Sequence, residues 1–172
     1  SSTEDFASLL GNISVTAATY SEADIQTKGT IKLPSTESTT NEIGNLLIES
    51  GELTIETLYA ANLTNDGTLS TKTVTVTQNI TNNSEITSDT VLANNDLENN
   101  GNLNAATSVQ ANNITNSGEI KTPTVIVNAD LTNAENATIT ATNGSITVGT
   151  NLTNDGILST KAITVTENIT NN

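Results

Sequence analysis

The side chains in this chain that could do chemistry are carboxylates and amides. There is no His to act as a base near neutrality and no Cys to act as a nucleophile, which excludes triads built on either. Nineteen Asp and Glu remain. Paired acids cleave glycosidic bonds when two of them face each other across a groove, but neighbours such as Glu4 and Asp5 are not brought opposite one another by any spacing in the sequence. Asp66 and Asp155 each precede a glycine, a turn arrangement, and no glycine–aspartate nonapeptide of the calcium-binding kind is present. No metal, cofactor or catalytic residue is therefore expected.

The amides are spaced far more regularly. Asn65, Asn82, Asn99, Asn116, Asn133, Asn154 and Asn171 each lie two residues after an aliphatic residue, in the order Leu63, Ile80, Leu97, Ile114, Leu131, Leu152 and Ile169. A second amide column lies one residue before those anchors, at Asn62, Asn79, Asn113, Asn151 and Asn168, with Asp96 and Asp130 taking two of its places. Identical amides stacked at strand spacing hydrogen-bond along the stacking axis. A carboxylate inside such a file would be repelled and costly to desolvate. The column that excludes carboxylates is therefore expected inside, as an asparagine ladder, and the column that admits Asp nearer solvent. The competing reading is that Asn serves only as a bend residue.

The elements that must position these amides follow from the spacing of the anchors. It is 17 residues four times in succession, then 21, then 17. Two earlier anchors, Ile25 and Leu47, fit the same template. A fixed period of this length is the signature of a solenoid. Within each period Ile31, Leu53, Leu69, Ile86, Leu103, Ile120 and Leu158 come six residues after the anchor. Alternating pairs such as Val74 and Val76, or Ile163 and Val165, come eleven and thirteen after it. That alternation is strand periodicity. A glycine four after the anchor (Gly29, Gly51, Gly67, Gly101, Gly118, Gly156) marks a bend that needs positive φ or has no room for a Cβ. The expected fold is all-β, a parallel β-solenoid with coils of about 17 residues. One coil alone buries too few aliphatics to offset its ordering entropy, whereas stacked coils share a continuous core.

Residues 1–24 depart from the template and are expected to form a cap or leader, with a short helix from Ser2 or Thr3 to Gly11 that places Phe6, Leu9 and Leu10 on one face. A disordered leader is the alternative. Residues 25–172 form the solenoid, with extruded loops near 34–40 and 140–145. The coil after Leu97 is expected to slip phase, since Val109 and Ala111 occupy the usually outward positions. Tyr59, Leu92, Val109 and Ile126 then make an apolar interaction patch, or else scattered surface aliphatics. Of the N-x-S/T sequons, most are imposed by the repeat; Asn136 and Asn143, in irregular segments, are the candidates for glycosylation. A net charge of −14 argues against nucleic acid and anionic membrane surfaces, and no apolar run reaches membrane-spanning length. A threonine column ten after the anchor, with Thr73, Thr90, Thr107 and Thr124, suggests an ice-binding array but breaks at Ala162.

The coil N-L-T-N-x-G-x-L-S-T-x-x-V-x-V, over about residues 45–172, resembles the haemagglutinin-type repeats of filamentous haemagglutinin and related two-partner-secretion adhesins. The resemblance implies a right-handed parallel β-helix, export through an outer-membrane partner, and an extracellular, cell-surface role as a non-enzymatic adhesive or spacer rod. Its partners would be other protein chains or a host receptor. The coil here is shorter than that family's, and its N-terminal secretion domain is not recognisable. Two other readings remain open: a subunit of an extracellular filament, sheath or surface layer that associates end to end, and a polysaccharide-active β-helix enzyme.

Overall fold

A computed structural model describes residues 22–36 and 42–172, together with the backbone of the strands Phe6–Leu10 and Ile13–Ser14. The fold is a parallel β-solenoid of about eight coils, roughly 17 residues apart. Every strand pairing is parallel and joins one coil to the next. Each coil presents three strand segments, so the rod has three faces. The anchor face carries the file Ile25, Leu46, Leu63, Ile80, Leu97, Ile114, Leu131, Leu152 and Ile169, each in register with the next. The second face carries Ile31, Leu53, Leu69, Ile86, Leu103, Ile120, Ile139 and Leu158. The third carries Leu58, Val74, Val91, Val109, Val125, Ile146 and Ile163.

These files are buried almost throughout and form one hydrophobic core. Their residue types follow from the geometry. Along each strand alternate side chains point into the lumen, and the lumen is narrow, so among the described residues Leu, Ile, Val and Ala fill it and no aromatic residue joins the core. The glycine column has two physical causes. Gly29 and Gly51 have φ of 77° and 74°, a left-handed conformation that costs an L-residue about 1–2 kcal/mol. At Gly101 and Gly118 the cause is space: an added Cβ would lie 2.0 Å from the Ser84 carbonyl oxygen and 2.1 Å from that of Gly101.

Several expectations need correction. Phe6–Leu10 is a strand, not a helix; it pairs in parallel with Ile25–Lys28. A helix of so few residues is marginal in water, whereas a strand supplies partners for the otherwise open edge of the first full coil. The second anchor is Leu46, not Leu47: Leu46 is buried and in register with Leu63, and Leu47 faces outward opposite Thr64. Three consecutive aliphatics, Leu46 to Ile48, hid the phase. The coil after Leu97 does slip by one residue, as expected. A bulge between Ala105 and Ser108 absorbs one extra residue, and Val109 and Ala111 return to the lumen at 0% exposure. The 21-residue coil divides its insertion between two places. One lies at Glu135 and Asn136, before Ile139. The other is a bulge between Ala141 and Ser145. Of the loop near 34–40, Ser35 and Thr36 are not extruded. Thr36 is buried, donating from its backbone N–H to the Thr57 carbonyl, and Ser35 Oγ accepts from the Thr57 N–H. Residues 37–41 lie outside the described residues.

Candidate functional site: the axial ladder and the outward faces

On the anchor face the strand alternation that buries each anchor also buries the residue two further on. That residue is Asn65, Asn82, Asn99, Asn116, Asn133 and Asn154, and all six are buried. Asn171, in the last coil, is exposed. The amides form one continuous ladder. Asn65 Nδ2 donates to Asn82 Oδ1 at 2.8 Å, Asn82 to Asn99 at 2.8 Å, Asn99 to Asn116 at 2.8 Å and Asn116 to Asn133 at 2.8 Å. Asn133 donates to Asn154 at 2.9 Å and Asn154 to Asn171 at 2.7 Å.

Each Nδ2 has a second duty. From Asn65 to Asn133 it also donates to a backbone carbonyl at the corner of the following coil, for example Asn82 to Asn102 O at 3.0 Å and Asn99 to Glu119 O at 3.0 Å, while Asn154 donates to Gly156 O of its own corner at 3.1 Å. Corner carbonyls facing a lumen would otherwise be buried without partners, at about 1–3 kcal/mol each. The ladder therefore satisfies the bends as well as itself, which a purely apolar column could not do.

The ladder has a sense. Every Nδ2 points toward the C-terminal coil and every Oδ1 toward the N-terminal one. At its start, Asn65 Oδ1 is buried without a partner, because the coil beneath places Ile48 in the column. One coil further down Thr27 occupies the same column, and its Oγ1 is likewise buried without a partner.

The outer amide column lies at the surface, as its aspartates imply. Its donors point the opposite way: Asn62 Nδ2 to Asn45 Oδ1 at 3.0 Å, Asn113 to Asp96 Oδ1 at 2.9 Å, Asn151 to Asp130 Oδ1 at 3.0 Å and Asn168 to Asn151 Oδ1 at 2.8 Å. Asp is tolerated because those positions need only accept. Where Asp96 and Asp130 follow an Asn, the backbone N–H donates to Asn79 and Asn113 Oδ1. A further partial ladder, missed in the sequence, runs from Asn100 to Asn83 to Asp66 at 2.9 and 2.8 Å. Another missed column lies eight residues after the anchor. Thr71, Ser88 and Thr160 bond carbonyls of their own corner or the preceding coil, as in Ser88 Oγ to Lys72 O and to Thr90 O, both at 2.9 Å. Its signal was present as a recurring Ser, Thr or Ala at that offset.

The carboxylates do not converge. Asp96, Glu98 and Asp130 line a shallow groove on the anchor face, with Asp96 and Asp130 two coils apart, about 10 Å. Among the described residues no group of three or more His, Cys, Asp or Glu is placed to hold a metal ion. Lys72 Nζ bonds Glu56 Oε1 of the preceding coil at 2.8 Å; that hydrogen bond holds the Glu56 carboxyl below its usual range and raises the Lys72 ammonium above its own. Glu49 is likewise held low by its hydrogen bond to Lys28.

Of the expected patch, Tyr59, Leu92 and Ile126 lie half-buried on the outside of the third face. Val109 does not join them, because the bulge turns it inward and puts Gln110 between Leu92 and Ile126. The bulge likewise puts Ser108, not Thr107, in the hydroxyl column. Asn136 and Asn143 are exposed, with φ of 66° and 56° at the two insertions, and neither side chain has a partner among the described residues. The repeat-borne sequon asparagines Asn62, Asn79, Asn113, Asn151 and Asn168 are instead tied into the outer ladder. The chain matches no family model, and neither the curated proteins nor the solved structures contain a significant match to it.

Proposed function

We propose that this chain is a non-enzymatic structural rod of an extracellular surface protein, acting as the spacer or adhesive stalk that the repeat resemblance implies. The observation that carries the reading is where the amides and hydroxyls go. Nearly every polar side chain in or near the lumen is committed to a bond along the rod axis or to a corner carbonyl. Such a molecule is stiff along its length and has no interior left for a substrate. Its outward surface is what remains to meet other molecules. An unpartnered Asn136 and Asn143 on irregular turns fit the expectation of surface glycosylation there.

The test has two arms. Beads carrying the purified chain are assayed for retention on cell and extracellular-matrix surfaces. The soluble chain is incubated with acidic and neutral polysaccharides while reducing ends are counted. The rod reading expects surface retention or inert spacing, and no release of reducing ends. Release that disappears in the variant Asp96→Asn/Asp130→Asn would overturn it in favour of a polysaccharide-active enzyme.

A further inference from the structure

The three faces of the rod differ sharply in charge. The anchor face carries Asp96, Glu98 and Asp130 outward, and the second face carries Glu52, Glu85, Glu119 and Lys121. Among the described residues from the coil of Thr57 to that of Thr164, the outward positions of the third-face strands carry none. Their central column reads Tyr59, Thr75, Leu92, Gln110, Ile126, Thr147 and Thr164, each in register with the next. The column beside it reads Thr57, Thr73, Thr90, Ser108, Thr124, Ser145 and Ala162. Charge resumes only at the rims. Glu42 sits at the N-terminal rim, where it accepts from Thr77 Oγ1 at 3.0 Å, and Glu56, Lys72, Asp89 and Lys161 sit at the corner before the strand. In a chain of net charge −14, an uncharged strip this long is a strong departure from the rest of the surface.

We propose that this face is a contact between two copies of the chain, packed face to face with their axes antiparallel. Three observations favour a second copy as the occupant. Two such acidic rods repel each other wherever carboxylates approach, and this is the face on which they can meet without doing so. The central column is also nearly palindromic about Gln110. A two-fold axis along that strand sets Leu92 against the partner's Ile126, Thr75 against the partner's Thr147, and Gln110 against its own copy, as an isologous interface requires. Finally, seven strands at about 4.8 Å spacing, and a width of about 15 Å, give about 500 Å² per copy. The total of about 1,000 Å² is the lower bound for a specific, weak interface.

Sedimentation of the purified chain over a wide concentration range, at low and high salt, tests this. The expected result is a reversible monomer–dimer equilibrium that tightens as salt rises, because screening reduces the repulsion between the acidic rods while the neutral contact is untouched. The variant Leu92→Asp/Ile126→Asp should stay monomeric with an unchanged circular dichroism spectrum and melting temperature, since both side chains face outward. The chain has no cysteine, so Gln110→Cys gives one reporter thiol. A short bis-maleimide should link it into covalent dimers, while Thr87→Cys on the second face should not link. A chain monomeric under all conditions overturns the proposal. So does a double variant that dimerises like the parent, an open-ended series of oligomers insensitive to it, or equal linking at Thr87→Cys.

Discussion

At the scale of single residues, the ladder turns on one chemical distinction: an amide both donates and accepts, and its isosteric acid only accepts. Asn99 receives a hydrogen bond from Asn82 and gives its own to Asn116 Oδ1 and to the Glu119 and Gly101 carbonyls. In Asn99→Asp those three acceptors face a carboxylate oxygen in a fully buried site. The variant should lose at least about 3 kcal/mol at neutral pH. Its buried carboxyl would have a raised pKa, so the penalty is full at neutral pH. It shrinks as pH falls through the folded-state pKa, and denaturant midpoints at pH 5 and pH 8 check this. The opposite effect is expected at the ladder's start. Ile48→Asn would give Asn65 Oδ1 a donor and Thr27 Oγ1 an acceptor, relieving two buried groups now without partners. Chemical denaturation should find it within about 1 kcal/mol of the parent or more stable, although an amide at an ordinary buried aliphatic site costs several. Leu53→Asn, in a file with no such partners, is the control and should unfold the rod.

At the scale of the coil, the bends decide which residues are replaceable. Gly101→Ala would press its Cβ onto the backbone of the preceding coil at Ser84, and backbone cannot rotate away. A loss of about 1–3 kcal/mol is expected in thermal or denaturant melts. The bends also explain what the sequence did and did not disclose. The anchors, the second-face file and the inner asparagines were legible because each recurs as a residue type that its column demands. The phase at Leu46 was not, because Leu46, Leu47 and Ile48 satisfy either register. The slip at Val109 was legible, because Val109 and Ala111 alternate one residue late; counting Val109 in the outward patch was the error, since the period of 17 is unchanged and the extra residue before Val109 is recovered before Ile114. The strand at Phe6–Leu10 was hidden because capping residues resemble a helix start, and the pairing partner lies in another coil.

At the scale of the whole molecule, the core, the corner carbonyls and the amide ladder run continuously from coil to coil, and this continuity makes the rod one mechanical unit. Hydrogen exchange of the asparagine side-chain amides, followed by NMR on a sample labelled at asparagine nitrogen, tests it most directly. The inner Nδ2 groups of Asn82, Asn99, Asn116 and Asn133 should exchange as slowly as the core strand amides and only through global unfolding, while those of Asn136 and Asn143 exchange at once. Inner amides that exchange as fast as the two exposed ones would contradict a closed, hydrogen-bonded lumen and the account built on it.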